Sequence, residues 1–600
     1  MNLMNRISPV PRTCQYLSRD VQSWPLEVAV VADADLPPQG YRIEVLAGKA
    51  LIACGDRAGE RYARDTLRQL EQAEPGGVPE LEIEDWPEFP VRGYMLDVSR
   101  DRVPTRETLE EIVGFLSRIR INHFQLYTEH TFAYRNHPAV WAEASPMTAD
   151  DVQWLDALCR DYGIELAANQ NCFGHMGRWL KHDDYRQFAE TPDGWTMSLG
   201  MEMPASVLRP TAESSALVRG LLDELLPNFT SRRVNINCDE TFELGKGFSA
   251  AEVEAHGMAR VYLSFVRQVI DHLQAQGKEV LFWGDVLRNH PELLGELPAG
   301  DLVALVWHYE APAADQRVPA WVLPVLAEFG MTEESLQGFS YHVRNFVDSG
   351  VPFWVCPGTS SWNSLVGRLS NARANLDDAA VVGVASGAAG YLITDWGDNG
   401  HMHPFAVSMM PLIEGAGLSW CRDSHQGQDL AALLDRVGFA SPIDGLGRLL
   451  ERLGCLAEHT GLQGVNGSPL HEKLVGGGLP SDGTIDPDGV LFVLQELEEL
   501  MDELPEVPLP PGQADTLRLE LAAAMRLARG GAWILAQEAG LETPTSEELA
   551  ADLLEAIEWQ ENAWRRRSRP GGLEDSLRRL HAAVDRHRGE NPPQGILLPD

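Results

Sequence analysis

The rhythm of apolar and polar positions changes twice along the 600 residues of this chain. From Leu26 to residue 74, "LEVAVVAD" and "YRIEVLAGKALIACG" have strand character, and "RAGERYARDTLRQLEQ" repeats its apolar positions at helical spacing. "AEPGGVPELEIEDWPEFP" follows with the Pro, Gly and acid of a linker. This predicts a small α/β domain over residues 1–85.

From Val91 the chain alternates short apolar runs with longer helical patterns. The runs are "VRGYMLDV", "INHFQLY", "GIELAAN", "RVNIN", "EVLFWG", "LVALVW", "PFWVCPG" and "GAAGYLIT". Eight buried-type strands separated by helices fit a (β/α)8 TIM barrel of roughly 250 residues or more, here over residues 86–424. After about residue 425 the strand signal fades. "VNGSPLHEKLVGGGLPSDGTIDPDG" is a Gly/Pro-rich break, and segments such as "SEELAADLLEAIEWQENAWRRR" have helix periodicity. They predict a helical domain over residues 425–600. The fold class is therefore α/β, a barrel between a small α/β domain and a helical tail.

Composition narrows the partners. The chain has 49 basic and 88 acidic residues, a net charge of -39, which repels nucleic acid and anionic membrane surfaces. No run approaches the roughly 18 to 20 apolar residues that span a bilayer, and no apolar core follows the first residues. The eight cysteines are scattered without a CxxC, as suits buried free thiols in a reducing compartment. The expected location is the cytoplasm.

Active sites of such barrels lie at the carboxyl ends of the strands. The first run delivers Asp97 and Arg100, the second Glu129, the third His175, and the fourth Asp239 and Glu240. The fifth gives Trp283 and Asp285, the sixth Trp307, His308, Tyr309 and Glu310, the seventh leads to Trp362, and the eighth gives Asp395, Trp396 and Asp398. Charged groups can grip a polar substrate, and indoles offer flat surfaces to the C–H faces of a sugar ring. A carbohydrate is the expected substrate, with Arg100, Glu129, His175, Trp283, Trp307, Tyr309, Trp362, Trp396 and Asp398 as its contacts.

Asp239 and Glu240 are adjacent on one strand, whereas a conventional glycosidase places its two carboxyl groups on either side of the bond, roughly 5 to 9.5 Å apart. Neighbouring carboxyls suit a substrate that supplies its own nucleophile. If a 2-acetamido oxygen attacks the anomeric carbon, Glu240 protonates the leaving oxygen and Asp239 orients the acetamido N–H and balances its developing charge.

With those residues in view, the chain resembles the glycoside hydrolase family 20 β-N-acetylhexosaminidases, and its helical tail resembles that of their intracellular bacterial branch. "RGYMLDVSRD" is similar to the first barrel strand with its sugar-gripping arginine, Arg100. "NQNCFGHMGRW" is similar to the segment that carries a histidine, His175, and "NINCDE" to the strand that ends in the catalytic pair. "FWGD", "VW" and "DWGD" look like the segments that bring three tryptophans around the acetamido methyl, here Trp283, Trp307 and Trp396. Asp398 would bind sugar hydroxyls. Cys238 stands where common members have glycine, Tyr309 substitutes for the family's acetamido-binding tyrosine, and Asp398 is shorter than the usual glutamate. The resemblance implies an exo-acting, retaining β-N-acetylhexosaminidase without a cofactor, acting on a terminal GlcNAc or GalNAc through an oxazolinium intermediate.

Other readings stay open at this level. Arg100 could pair with Asp97 for structural reasons, and His175 fits a core role as well as a functional one. Asp395, Asp398, His401 and His403 in "DWGDNGHMHP" would suit a metal-dependent barrel hydrolase. A sugar-binding protein without turnover is a further alternative. The helical tail could pair two chains as a homodimer.

Overall fold

The computed structural model describes residues 7–197, 200, 202–298, 300–312, 332–476 and 481–589. Residues 1–6 and 590–600, the outer ends of the two flanking domains expected from sequence, lie outside the described residues, as do 477–480 of the Gly/Pro-rich break. All eight apolar runs form strands. In order they are Val91–Asp97, His123–Tyr127, Glu165–Asn169, Arg233–Asn235, Glu279–Trp283, Leu302–Trp307, Phe353–Cys356 and Gly390–Asp395. They pair in parallel and in sequence order, and the third closes on the fourth. The first is buried at all seven positions, as expected of a strand covered on both faces, which is why it reads as a continuous apolar run.

The amino-terminal unit holds more strands than the sequence suggests. Its five strands, Thr13–Gln22, Glu27–Ala32, Tyr41–Leu46, Lys49–Cys54 and Val78–Asp85, form one sheet in the order first, fifth, third, fourth, second. The supposed linker contains the fifth strand, which pairs with Tyr41–Leu46 and buries Val78, Leu81 and Ile83. Pro79 and the interleaved acids mask its period-two pattern. Thr13–Gln22 was missed because it exposes most of its residues at the sheet edge.

The helix Phe405–His425 carries Trp420 into the core of this sheet. The Trp420 Nε1 donates to Asp85 Oδ1 at 2.8 Å, and the buried Arg120 pairs with Asp85 Oδ2 at 2.9 Å. The sheet is thus fastened to the barrel by a buried, partnered charge pair.

The tail shares one continuous apolar core with the barrel. Its helix Ser546–Arg567 starts at a capping box formed by Thr545 and Glu548. The segment "WRRRSRPGG", residues 564–572, carries this helix's end toward the barrel. Arg567 pairs with Glu111 and with Glu520, and Arg569 reaches the Pro146 carbonyl at 2.6 Å and Asp151 at 3.0 Å. The basic run therefore docks the tail on the barrel's own loops. The next helix, Leu573–His587, meets the loop after the eighth strand, where Ser576 Oγ donates to the Gly400 carbonyl at 2.6 Å and Arg579 Nη1 to Asn399 Oδ1 at 3.3 Å.

Candidate active site

The fourth strand ends at Asn235, and the backbone then turns sharply. Asn237, Cys238 and Glu240 all have positive φ, at 56°, 65° and 48°. Side chains seldom adopt this region, and each such residue stores strain that the surroundings must offset. Cys238 thus takes a conformation in which glycine is the easy choice. A buried network holds it there. Trp283 Nε1 donates to Asn237 Oδ1 at 2.8 Å, Asn237 Nδ2 donates to Asn169 Oδ1 at 2.7 Å, and Tyr262 Oη donates to the Cys238 carbonyl at 2.8 Å. The Glu240 amide donates to Asp285 Oδ2 at 3.1 Å. Gly174 lies so close behind the turn that a Cβ there would strike the Asp239 carbonyl oxygen.

The turn brings His175 against both carboxyl groups. Its Nε2 lies 3.4 Å from Asp239 Oδ2 and 3.3 Å from Glu240 Oε2. Its Nδ1 is 3.4 Å from Arg100 Nη2. Burial works against a charged ring here, but Asp239 and the hydrogen bonds to both carboxyls prevail, and the imidazole is held well above its usual range. Asp239 is 5% exposed, whereas the Glu240 side chain is 28% exposed. The two neighbours therefore differ in access to solvent.

Arg100 is buried at the centre of a charge cluster. Its Nη1 pairs with Asp97 Oδ2 at 3.0 Å and its Nε lies 3.5 Å from Glu129 Oε1. The guanidinium also stacks over Tyr127 and Trp396, at 4.8 and 5.1 Å from the ring centres. Asp97 receives the Gly397 amide at 3.0 Å as well, so it ties the first strand's end to the eighth's. Asp398 lies in the field of Arg100, Asp97, Glu240 and His175, and burial raises its carboxyl above the usual range despite Arg100. Burial likewise raises Glu129, against the pull of Arg100.

Three of the expected tryptophans form one wall with Tyr309. Trp307 stacks on Tyr309 at 5.3 Å, Tyr309 meets the edge of Trp396 at 6.4 Å, and Trp396 lies 6.1 Å from Trp283. Trp362 stands behind this wall. It is 1% exposed, packs edge-on against Tyr309 at 5.1 Å, and donates its Nε1 to Asn466 Oδ1 of the tail at 2.8 Å.

Three participants had no role in the sequence reading. Asp285 stood out there only as a charge at a strand end. Tyr127 ends the second strand, an aromatic signal that could have been used, and Tyr262 lies in the helix Met258–Ala275, where nothing in the sequence points to the site. The His401 and His403 rings stack 4.8 Å apart, and Asp395 accepts from Tyr94 and Thr359. Among the described residues, no three His, Cys, Asp or Glu side chains come together as a metal-binding group.

Comparison with known proteins agrees with this geometry. The family model for the catalytic domain of glycosyl hydrolase family 20 matches residues 89–321, and that for domain 2 of the same family matches residues 7–86. A lacto-N-biosidase from Bifidobacterium bifidum is 23% identical over 272 residues, 43% of this chain and 23% of its own length. A β-hexosaminidase from Akkermansia muciniphila is 26% identical over 170 residues, 24% of this chain and 34% of its own. The β-hexosaminidase α subunit of Bos taurus is 23% identical over 296 residues, 46% of this chain and 54% of its own. The chain thus spans about half or less of these relatives. The fold resembles that of a chitobiase from Flavobacterium johnsoniae, with a TM-score of 0.56 at 14% identity over 92% of this chain and 96% of that one. It also resembles a β-N-acetylhexosaminidase from Streptomyces coelicolor A3(2), with a TM-score of 0.52 at 15% identity over 76% and 97% of the two chains. Two adjoining family models fall on the sheet and on the barrel whose fourth strand ends in Asp239 and Glu240, and on that ground the chain belongs to glycosyl hydrolase family 20.

Proposed function

We propose that this protein is an exo-acting β-N-acetylhexosaminidase that removes a terminal β-linked GlcNAc or GalNAc with retention, the substrate's own acetamido oxygen serving as nucleophile. The observation that carries the reading is the placement of Asp239 and Glu240 side by side, bridged by His175, opposite a wall of indoles. Groups on one side of a bond cannot act as a conventional flanking pair, but they can serve an acetamido sugar together.

In this reading Glu240, the more exposed of the two, protonates the departing oxygen and then takes a proton from the incoming water. Asp239 accepts the acetamido N–H and offsets the positive charge of the oxazolinium ring. His175 holds the two carboxyls in register. Arg100, fixed by Asp97 and Glu129, offers its remaining N–H groups to ring hydroxyls, and Asp398 accepts from them. Trp283, Trp307 and Trp396 enclose the acetamido methyl and exclude water, while Tyr309 donates to the acetamido oxygen and Trp362 supports Tyr309 from behind. The eight free thiols, six of them buried, suit a cytoplasmic location.

The test is release of 4-nitrophenol from the β-GlcNAc and β-GalNAc glycosides, with the plain β-glucoside and the free β-glucosaminide alongside. Turnover of the acetamido sugars alone, largely lost in Glu240→Gln and Asp239→Asn, is the expected result. Efficient cleavage of the glucosaminide, which has no acetamido oxygen, would defeat the mechanism. Cleavage of the plain glucoside would indicate an ordinary two-carboxyl glycosidase.

A further inference from the structure

Asp285 is a third carboxyl beside the pair, and the mechanism above leaves it without a task. It follows the fifth strand by two residues, at the start of the short helix Asp285–Arg288. Its Oδ2 accepts the Glu240 amide at 3.1 Å, and its Oδ1 is buried with no hydrogen-bond partner. A half-buried carboxyl with one oxygen shut away from solvent beside two others is unfavourable unless it serves a purpose or loses its charge.

The turn it touches is the strained one. Glu240 has a φ of 48°, and the backbone groups before it are held by neutral partners, the Asn235 side chain on the Asn237 amide and Tyr262 on the Cys238 carbonyl. The Glu240 amide is held by Asp285. Without that acceptor, a half-buried N–H would lose its partner at the residue whose side chain must meet the leaving oxygen. We infer that Asp285 is a positioning residue for the proton donor, its carboxyl oxygen fixing the Glu240 peptide in the left-handed turn that sets the Glu240 side chain beside His175. This inference rests on the proposed role of Glu240.

The proposal requires an acceptor oxygen and no charge. Burial, and secondarily the charge of Asp239, push the Asp285 carboxyl up to about 7, so at mildly acidic pH it is a neutral acceptor and adds no third negative charge. Asparagine is the neutral isostere and should replace it, whereas alanine should not.

The experiment measures kcat and KM of the full chain on two β-GlcNAc glycosides. A 4-methoxyphenyl group needs a proton to leave, and a 2,4-dinitrophenyl group does not. General-acid help is worth about 10²- to 10⁴-fold, so Asp285→Ala should lower kcat on the 4-methoxyphenyl glycoside about 30- to 100-fold, with KM changed by less than about 3-fold. On the dinitrophenyl glycoside the loss should stay under about 5-fold, because the group being positioned is not needed there. Asp285→Asn should remain within about 5-fold of wild type on both. Equal losses on the two glycosides would mean a general structural defect and would overturn the proposal. So would an unaffected alanine variant, or an asparagine variant as impaired as alanine. Silence of the wild-type protein on both glycosides would instead overturn the reading of the site on which the inference rests.

Discussion

The side-chain oxygen of Asn466, in the helical tail, accepts the indole Nε1 of Trp362 at 2.8 Å, across the boundary between tail and barrel. Trp362 in turn packs edge-on against Tyr309. The tail therefore supports the aromatic wall through this part-buried hydrogen bond. Asn466→Ala leaves a buried N–H unpaired, which costs about 1 to 3 kcal/mol. We expect a lower unfolding midpoint in urea and a several-fold higher KM, both largely recovered in Asn466→Asp, which keeps an acceptor. An alanine variant with unchanged KM would show that the wall does not depend on the tail.

Gly174→Ala should impair turnover more than binding. The added methyl meets the Asp239 carbonyl oxygen, and the turn that carries Asp239 and Glu240 is held too tightly to yield without moving Asp239 itself. Misplacing a reacting group by about 1 Å costs up to about 10²-fold. Steady-state kinetics should show kcat reduced by about 10-fold or more with KM little altered.

His175 should make stability depend on pH. Its imidazole titrates higher in the folded state than in the unfolded chain, where it sits near 6.5. The folded state therefore gains from the charged ring. That gain is complete below about 6.5 and is lost as pH rises through the folded-state value. Thermal unfolding of wild type and His175→Gln from pH 5.5 to 9 should show a gap that is widest at the acid end. A constant gap would mean that the ring titrates alike in the folded and unfolded chain.

Asp285 predicts the same trend from a carboxyl. Its carboxyl is raised to about 7, whereas an unfolded aspartate titrates near 3.9. Between about 4 and 7 the folded state retains a proton that the unfolded chain has released, so stability falls as pH rises and the penalty is complete above 7. Asp285→Asn cannot ionise. Its midpoint relative to wild type should climb from pH 4 to pH 8, and a difference that does not change with pH would show that the wild-type carboxyl titrates normally.

The sequence by itself determined most of the architecture and singled out Asp239 and Glu240 as the candidate pair. Eight apolar runs, each too short for a core helix and most followed by helical spacing or a loop leading into it, leave few folds other than a closed parallel barrel. Residues at strand ends share one face of such a barrel, so Arg100, Asp239, Glu240, Trp283, Trp307 and Trp396 could be placed together before any coordinates were seen. The strand Val78–Asp85 was not legible, because one proline and a row of acids hid three buried apolar side chains. The supports of the site were not legible either. Tyr262, Asn466 and Asp285 lie 22, 226 and 45 residues beyond Glu240, and no local periodicity connects them to it. Their roles depend on which backbone group is left without a partner when a strained turn closes, and only the tertiary structure decides that.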